Sequence, residues 1–166
     1  MMAGVGFDAH VVAHVPPGLK RVAGTWAYGW QMAVELLRLR PRPYRVTADG
    51  AAFDCASAIV AKGRFYAGRY VAAPAASLDC ASFELVLFEH GGRFAVLRCA
   101  VALGLGRLHK ARGVRIVSAR DIAIDGDAGA PVAEPVHADG DVIGTLPMRF
   151  TIAEERLSVL VAPPSA

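Results

Sequence analysis

The order of apolar and polar positions divides the chain into many short strands and two helices. Val5 to Val15 joins a glycine-bearing start to a β-branched run, which reads as a strand ended by Pro16 and Pro17. From Lys20 to Leu39 the period changes. Val22, Trp26, Trp30, Ala33, Val34 and Leu37 recur at helical spacing as one apolar stripe, and Pro41 stops it. Tyr44, Val46 and Ala48 then alternate with Arg45 and Thr47, Asp49-Gly50 supplies a tight turn, and Phe53 to Lys62 returns as the second strand of a hairpin. Further strands are predicted at Tyr70 to Ala73, Phe83 to Glu89, Val114 to Ile124, Val132 to His137, Leu146 to Ile152 and Leu157 to Ala162. In the run from Leu146, Met148, Phe150 and Ile152 face one way while Arg149 and Thr151 face the other, the period of a half-buried sheet. A second helix fits Phe94 to Leu105, where Leu97, Val101 and Leu105 share a face. Strands and helices do not alternate regularly, so the pattern predicts a mainly β protein, an antiparallel β-sandwich with two added helices, over a doubly wound parallel sheet.

Composition narrows the class. A chain of 166 residues, 54% hydrophobic and carrying a net charge of only +3, is one domain's worth of sequence with enough apolar surface to exclude disorder. Cys55, Cys80 and Cys99 are odd in number and lie 25 and 19 residues apart, which excludes both a disulfide scaffold and a paired zinc grip. They read as reduced, mostly buried thiols of a cytoplasmic protein. The most apolar stretch, Phe83 to Gly106, is interrupted by Glu84, Glu89, His90, Arg93 and Arg98, so no spanning helix is predicted, and the N-terminus has no signal-peptide pattern. The basic residues are almost all arginine, 15 against 3 lysines. Such a balance suits phosphate or an anionic membrane face, but the excess is too small to argue for nucleic acid.

Few residues offer chemistry. The opening GVGFDA, Gly4 to Ala9, lacks the third glycine of a dinucleotide fingerprint. Asp8, inside an apolar segment, needs a hydrogen-bonding partner or a ligand unless it is a turn or cap residue. His10 and His14 are four apart, but no glutamate lies between them and the intervening residues prefer a strand, so the pair is a weak metal signal. Asp125-Gly126-Asp127 and Asp139-Gly140-Asp141 are each either a plain turn or a tight turn that leaves two carboxylates to accept a proton or hold magnesium.

The second of these units opens a longer pattern. Asp139-Gly140-Asp141, followed by Gly144, Pro147, Phe150, Leu157 and Val159 to Pro163, resembles the end of the bacterial diacylglycerol kinase-like lipid kinases, relatives of the sphingosine and NAD kinases. GVGFDA, KRVAGTWAY from Lys20, KGRFYAGRYVAAPAASLD from Lys62 and FELVLF from Phe83 follow the same family in the same order. The resemblance implies that residues 1–166 are a C-terminal, lipid-side β-sandwich domain, the nucleotide-binding domain with its GGDGT loop lying outside this sequence. It implies transfer of the γ-phosphoryl group of ATP, with magnesium, to a diacylglycerol-like hydroxyl, and an isolated chain that is inactive and holds neither cofactor tightly.

By the same resemblance, Asp139 takes the place of the family's DGE aspartate, the general base in the bacterial enzymes and a nucleotide contact in the sphingosine kinases. Asp141 replaces the glutamate with a side chain one methylene shorter, the Asp125 unit becomes a decoy, and the lipid falls beside Phe7 and Asp8. A family loop that holds structural magnesium carries Cys80-Ala81 where an Asp-Gly is expected. The metal is expected to be lost, or rebuilt around Asp79 with the carbonyls of Ser77 and Ser82, because thiolates are poor magnesium ligands. Lys62 stands where the family has an asparagine. The implied partners are the lipid substrate and the nucleotide-binding domain, with room for a homodimer and for peripheral contact with the inner membrane face, but no nucleic acid. Trp26 and Trp30 with Arg38, Arg40 and Arg42 read first as core and solvated helix end, and second as a membrane edge. Two alternatives are a non-catalytic lipid-binding or regulatory module and an NAD kinase-like protein.

Overall fold

A computed structural model describes residues 1–14, 34–39, 42–126 and 134–154. The strands are β1 (Met2–Val5), β2 (Tyr44–Ala48), β3 (Ala51–Cys55), β4 (Ser57–Ala61), β5 (Phe65–Tyr66), β6 (Tyr70–Val71), β7 (Phe83–Phe88), β8 (Val114–Ala119), β9 (Asp121–Asp125), β10 (Pro135–Ala138), β11 (Asp141–Thr145) and β12 (Met148–Thr151). The helices are α1 (Phe7–His14) and α2 (Arg93–Gly104), and residues 34–38 are also helical. Two antiparallel sheets form the predicted sandwich. One runs β11-β10-β1-β4-β7-β8 and the other β12-β9-β2-β3, while β5 and β6 make a separate small hairpin.

Alternation along the strands fills the space between the sheets. Val5, Ala58, Val60, Leu85, Leu87 and Val136 from the larger sheet meet Tyr44, Val46, Cys55, Ile122 and Ile124 from the smaller. The intervening residues of β4 and β7, Ile59, Ala61 and Val86, face the opposite way, into a second core with Met2, Ala72, Ala73 and Leu108. Both central strands are therefore covered on two sides, which is why SAIVA and FELVLF are nearly continuous apolar runs.

The hairpin at Asp49-Gly50 forms as the pattern predicts, but two predicted strands are each divided between the sheets. Phe53 to Lys62 breaks at Ala56, so that β3 lies in one sheet and β4 in the other. Val114 to Ile124 breaks at Arg120, where the Asp49 carboxylate accepts the backbone N–H groups of Arg120 at 3.1 Å and Asp121 at 2.9 Å. Those amides leave the ladder of one sheet before joining the other, and the carboxylate satisfies them. Strand β11 has no counterpart among the predicted strands. Of the predicted 20–39 helix only 34–39 falls within the described residues, and the strand from Leu157 to Ala162, with Trp26, Trp30 and Arg40, lies outside them.

The predicted strand from Val5 to Val15 is a correction. It is β1 followed by α1. Gly6 adopts φ +84°, a left-handed conformation, and a Cβ there would lie 2.9 Å from the carbonyl oxygen of Ala56. The chain therefore turns off the sheet at Gly6, His10 N–H donates to the Gly6 carbonyl at 3.1 Å, and Ala9 and Val11 are buried. Packing overrides the strand preference of Val11 and Val12.

Candidate functional site

The turn at Gly6 sends Phe7, Asp8 and His10 along the outer face of the larger sheet, where they form one side of an open cavity of about 290 Å³. Its floor is Ser57 and Ile59 of β4 with Ala72, and its other walls are Tyr66, the 35–39 segment, Phe88 and the α2 residues Val96, Cys99, Ala100 and Leu103. That volume sits at the lower end of the roughly 300–1,000 Å³ of small-molecule sites. The walls are mostly hydrocarbon, with Asp8 the carboxylate that α1 brings to them. Phe7 and Asp8, the residues singled out for lipid, thus line the same space.

Both oxygens of Asp8 are engaged. The Tyr66 hydroxyl donates to Oδ1, and Oδ2 lies 2.6 Å from Nε2 of His137, on β10. The register explains the meeting: Gly4 of β1 stands opposite His137 of β10 and Ile59 of β4. A Cβ on Gly4 would come within 2.4 Å of His137 Nε2 and 2.8 Å of Asp8 Oδ2, so this position must be glycine for the pair to close. His137 is buried, and its Nδ1 has no hydrogen-bond partner among the described residues. Sequence reasoning found Asp8 but missed His137 and Tyr66.

A second polar cluster braces α1. Buried Glu134 accepts from Arg42 Nη1 at 2.5 Å and from the Tyr44 hydroxyl at 3.0 Å, and lies 2.8 Å from His10 Nε2. Burial, reinforced by the Glu134 charge, pushes the Tyr44 phenol well above its ordinary range, so it remains a donor. His10 and His14 do share a helix face, their rings stacked with centroids 6.2 Å apart. His10 faces Glu134, however, while His14 Nδ1 donates to the His10 carbonyl at 2.8 Å and lies 3.6 Å from Glu35.

Asp139 and Asp141 lie elsewhere. Asp139-Gly140 is the tight turn between β10 and β11, and Asp139, at φ +48°, has a side chain 58% exposed. Its Oδ1 accepts the Met2 N–H at 2.9 Å and its own N–H donates to the Met2 carbonyl at 3.0 Å, tying the turn to β1. Asp141 begins β11 and is exposed. Neither is among the residues lining the cavity. Asp125 ends β9 in the other sheet, and Asp127 lies outside the described residues.

The 77–82 loop does not fit a magnesium ion. Lys62 Nζ donates to the Cys80 carbonyl and, at 3.2 Å, to the Ser82 carbonyl, so an ammonium already occupies one of the two carbonyls expected to rebuild the site around Asp79. No cluster of three or more His, Cys, Asp or Glu side chains suited to a metal occurs among the described residues. Cys80 is exposed and Cys99 half-buried, leaving Cys55 as the one fully buried thiol of the three, against the expectation that most are enclosed. Burial pushes the Cys55 thiol up to about 12.

The domain is thus two packed antiparallel sheets with a mostly apolar cavity on the outer face of the larger one. A family model described as the YegS C-terminal NAD kinase beta sandwich-like domain matches residues 2–161, and the chain belongs to that family. No curated protein matches the chain. Among solved structures, one described as "a putative diacylglycerol kinase" from Bacillus anthracis str. Sterne is similar at 16% identity with a TM-score of 0.62, over 90% of this chain and 49% of that one. Another, described as a diacylglycerol kinase from the same organism, matches at 16% identity and a TM-score of 0.57, over 89% of this chain and 47% of the other. At that identity the likeness is one of fold, and the chain spans about half the length of these relatives.

Proposed function

We propose that this domain is the lipid-side half of a lipid kinase, its cavity taking the hydrocarbon part of a diacylglycerol-like alcohol. The observation that supports this reading most is the cavity itself: mostly hydrocarbon walls, an open side, and a polar rim in which Asp8 is held by Tyr66 and His137 beside Glu35, Arg38 and Arg42. A mostly apolar space of this kind favours an acyl chain over the polar dinucleotide of an NAD kinase; of the two arginines that line it, Arg42 is already held by Glu134, which leaves Arg38 at the rim.

In the complete enzyme, ATP with magnesium supplies the γ-phosphoryl group. The residues of this chain divide the remaining work. Asp8 is enclosed, and its oxygens already hold Tyr66 and His137, so its part is to fix the polar rim of the cavity and orient the substrate's hydroxyl end. Asp139 is exposed and so suits the proton-accepting role that the family resemblance gives it, with Asp141 beside it across the turn. Phosphoryl transfer depends chiefly on positioning and charge neutralisation, which makes a rigid lipid pocket the contribution expected of this half.

The test is a titration of the purified chain with a fluorescent, short-acyl diacylglycerol below its aggregation threshold. Saturable one-to-one binding is expected, and Ala100→Trp, which fills the cavity from an exposed position, should abolish it. Binding that is absent, or that survives Ala100→Trp unchanged, would overturn the reading.

A further inference from the structure

Helix α2 is apolar on two opposite sides. Val96, Cys99, Ala100 and Leu103 line the cavity. At about 100° per residue the far side carries Phe94, Leu97 and Val101, with Leu105 at the helix end, and these are 90%, 53%, 54% and 68% exposed. No side chain of the helix is buried. An outward stripe of four large apolar residues on one short helix marks a contact surface, since isolated exposed apolar residues are ordinary but a contiguous row is not.

Charge selects what makes the contact. Between His90 and Arg120 the chain carries Arg93, Arg98, Arg107, Lys110, Arg112, Arg115 and Arg120 and no aspartate or glutamate, although acidic and basic residues nearly balance over the whole sequence. Some of these cations are tied inward. Arg93 donates to the Leu37 carbonyl at 2.5 Å, Arg98 to the Arg112 carbonyl at 2.7 Å, and Arg115 pairs with Glu89 at 2.9 Å. The side chains of Arg107, Lys110 and Arg112 are exposed where α2 ends. A second copy of the chain would bring an equally cationic segment against this one, whereas an anionic bilayer complements both the charge and the apolar row. Twelve residues make a helix about 18 Å long, far short of a membrane span and suited to lying in the interface plane.

We propose that α2 is the element by which this domain rests on an anionic lipid bilayer, Phe94, Leu97, Val101 and Leu105 entering the acyl boundary and Arg107, Lys110 and Arg112 meeting the headgroups. The surface is defined by the exposure and charge of α2 and does not depend on what fills the cavity.

Co-sedimentation of the purified chain with phosphatidylcholine vesicles, with and without phosphatidylserine, tests it. The chain should pellet with the anionic vesicles and be released by salt. Arg107→Gln/Lys110→Gln/Arg112→Gln should weaken partitioning by about fivefold per charge, roughly a hundredfold together. Phe94→Ser/Leu97→Ser, two changes at exposed positions, should weaken it by about tenfold or more. Ala100→Trp, on the cavity side, should leave vesicle binding intact while removing the soluble lipid, so the two proposals fail separately. Pelleting that ignores both outer-face variants, or that is lost in Ala100→Trp, would overturn the assignment. So would a dimer in solution that Phe94→Ser/Leu97→Ser dissolves without any vesicle binding by the parent chain.

Discussion

Replacing Glu134 by glutamine keeps the shape of the side chain and removes the charge around which Arg42, Tyr44 and His10 converge. Glu134 is buried and Arg42 is 37% exposed on its side chain. Breaking a buried ion pair costs about 3–5 kcal/mol when the surviving charge stays enclosed. Arg42 can turn partly toward water, and the amide can still accept from Tyr44, so the lower end, about 3 kcal/mol, applies to Glu134→Gln. For a domain of this size that corresponds to a fall in melting temperature of roughly 6–12 °C, at about 2–4 °C per kcal/mol. Asp54→Asn is the matched control. It removes the charge from the Arg45–Asp54 pair, whose side chains are 65% and 70% exposed, and should leave the melting temperature nearly unchanged. Thermal unfolding followed by circular dichroism reads both. If Glu134→Gln melts no lower than Asp54→Asn, the cluster is not the brace that holds α1 against the sheet, and the cavity wall built on α1 loses its support.

Gly4→Ala should destabilise the fold by about 1–3 kcal/mol, because its Cβ collides with the Asp8–His137 pair, while Gly92→Ala, in open space, should cost under about 1 kcal/mol; denaturant midpoints separate them. Of the three thiols, Cys80 should react at once with a disulfide reagent at neutral pH and Cys55 only on unfolding, since Cys55 is buried with its pKa raised by desolvation; mass spectrometry of the labelled chain checks the order. Lys62→Asn combined with Cys80→Asp should create magnesium binding in the 77–82 loop, and calorimetry showing equal magnesium uptake by the parent chain would refute the view that the Lys62 ammonium holds its place. In a two-domain enzyme, Asp139→Asn should lower turnover by about 10²–10⁴-fold. Asp125→Asn, on the other sheet, should leave it near the parent's, and equal effects in the two variants would remove Asp139 from the reaction.

Local pattern was enough for elements whose two sides differ. Tyr44 to Ala48 alternates cleanly, Asp49-Gly50 turns, and the hairpin follows; Phe83 to Phe88 and α2 lie within a residue of their predicted bounds. The points where the chain changes sheets were concealed, because nothing nearby in sequence marks Ala56 or Arg120; the carboxylate that caps Arg120 belongs to Asp49, 71 residues away. Helix α1 was hidden by Val11 and Val12, whose preference yields to the left-handed turn at Gly6 and to packing. The site divides in the same way. Asp8 stood out as a carboxylate in apolar surroundings, but its partners Tyr66 and His137 are 58 and 129 residues distant, His137 arriving through the register of β1 with β10 and Tyr66 from the separate β5–β6 hairpin. Glu134 and His137, polar residues flanking Val136 at the edge of a short strand, were the available signal, and it was weak. The outward row on α2 was visible as a shared face, yet whether that face looks into the core or into water depends on tertiary placement.

On the proposed reading, the cavity between α1, β4 and α2 receives a lipid's hydrocarbon chain. A crystal structure of the chain grown with a diacylglycerol bearing brominated acyl chains locates those chains by their anomalous signal. Bromine peaks are expected inside the cavity, between Ile59, Ala100 and Leu103, with the glycerol end toward Asp8. Bromine confined to the outer face of α2, with the cavity empty of lipid at saturating concentration, would contradict it.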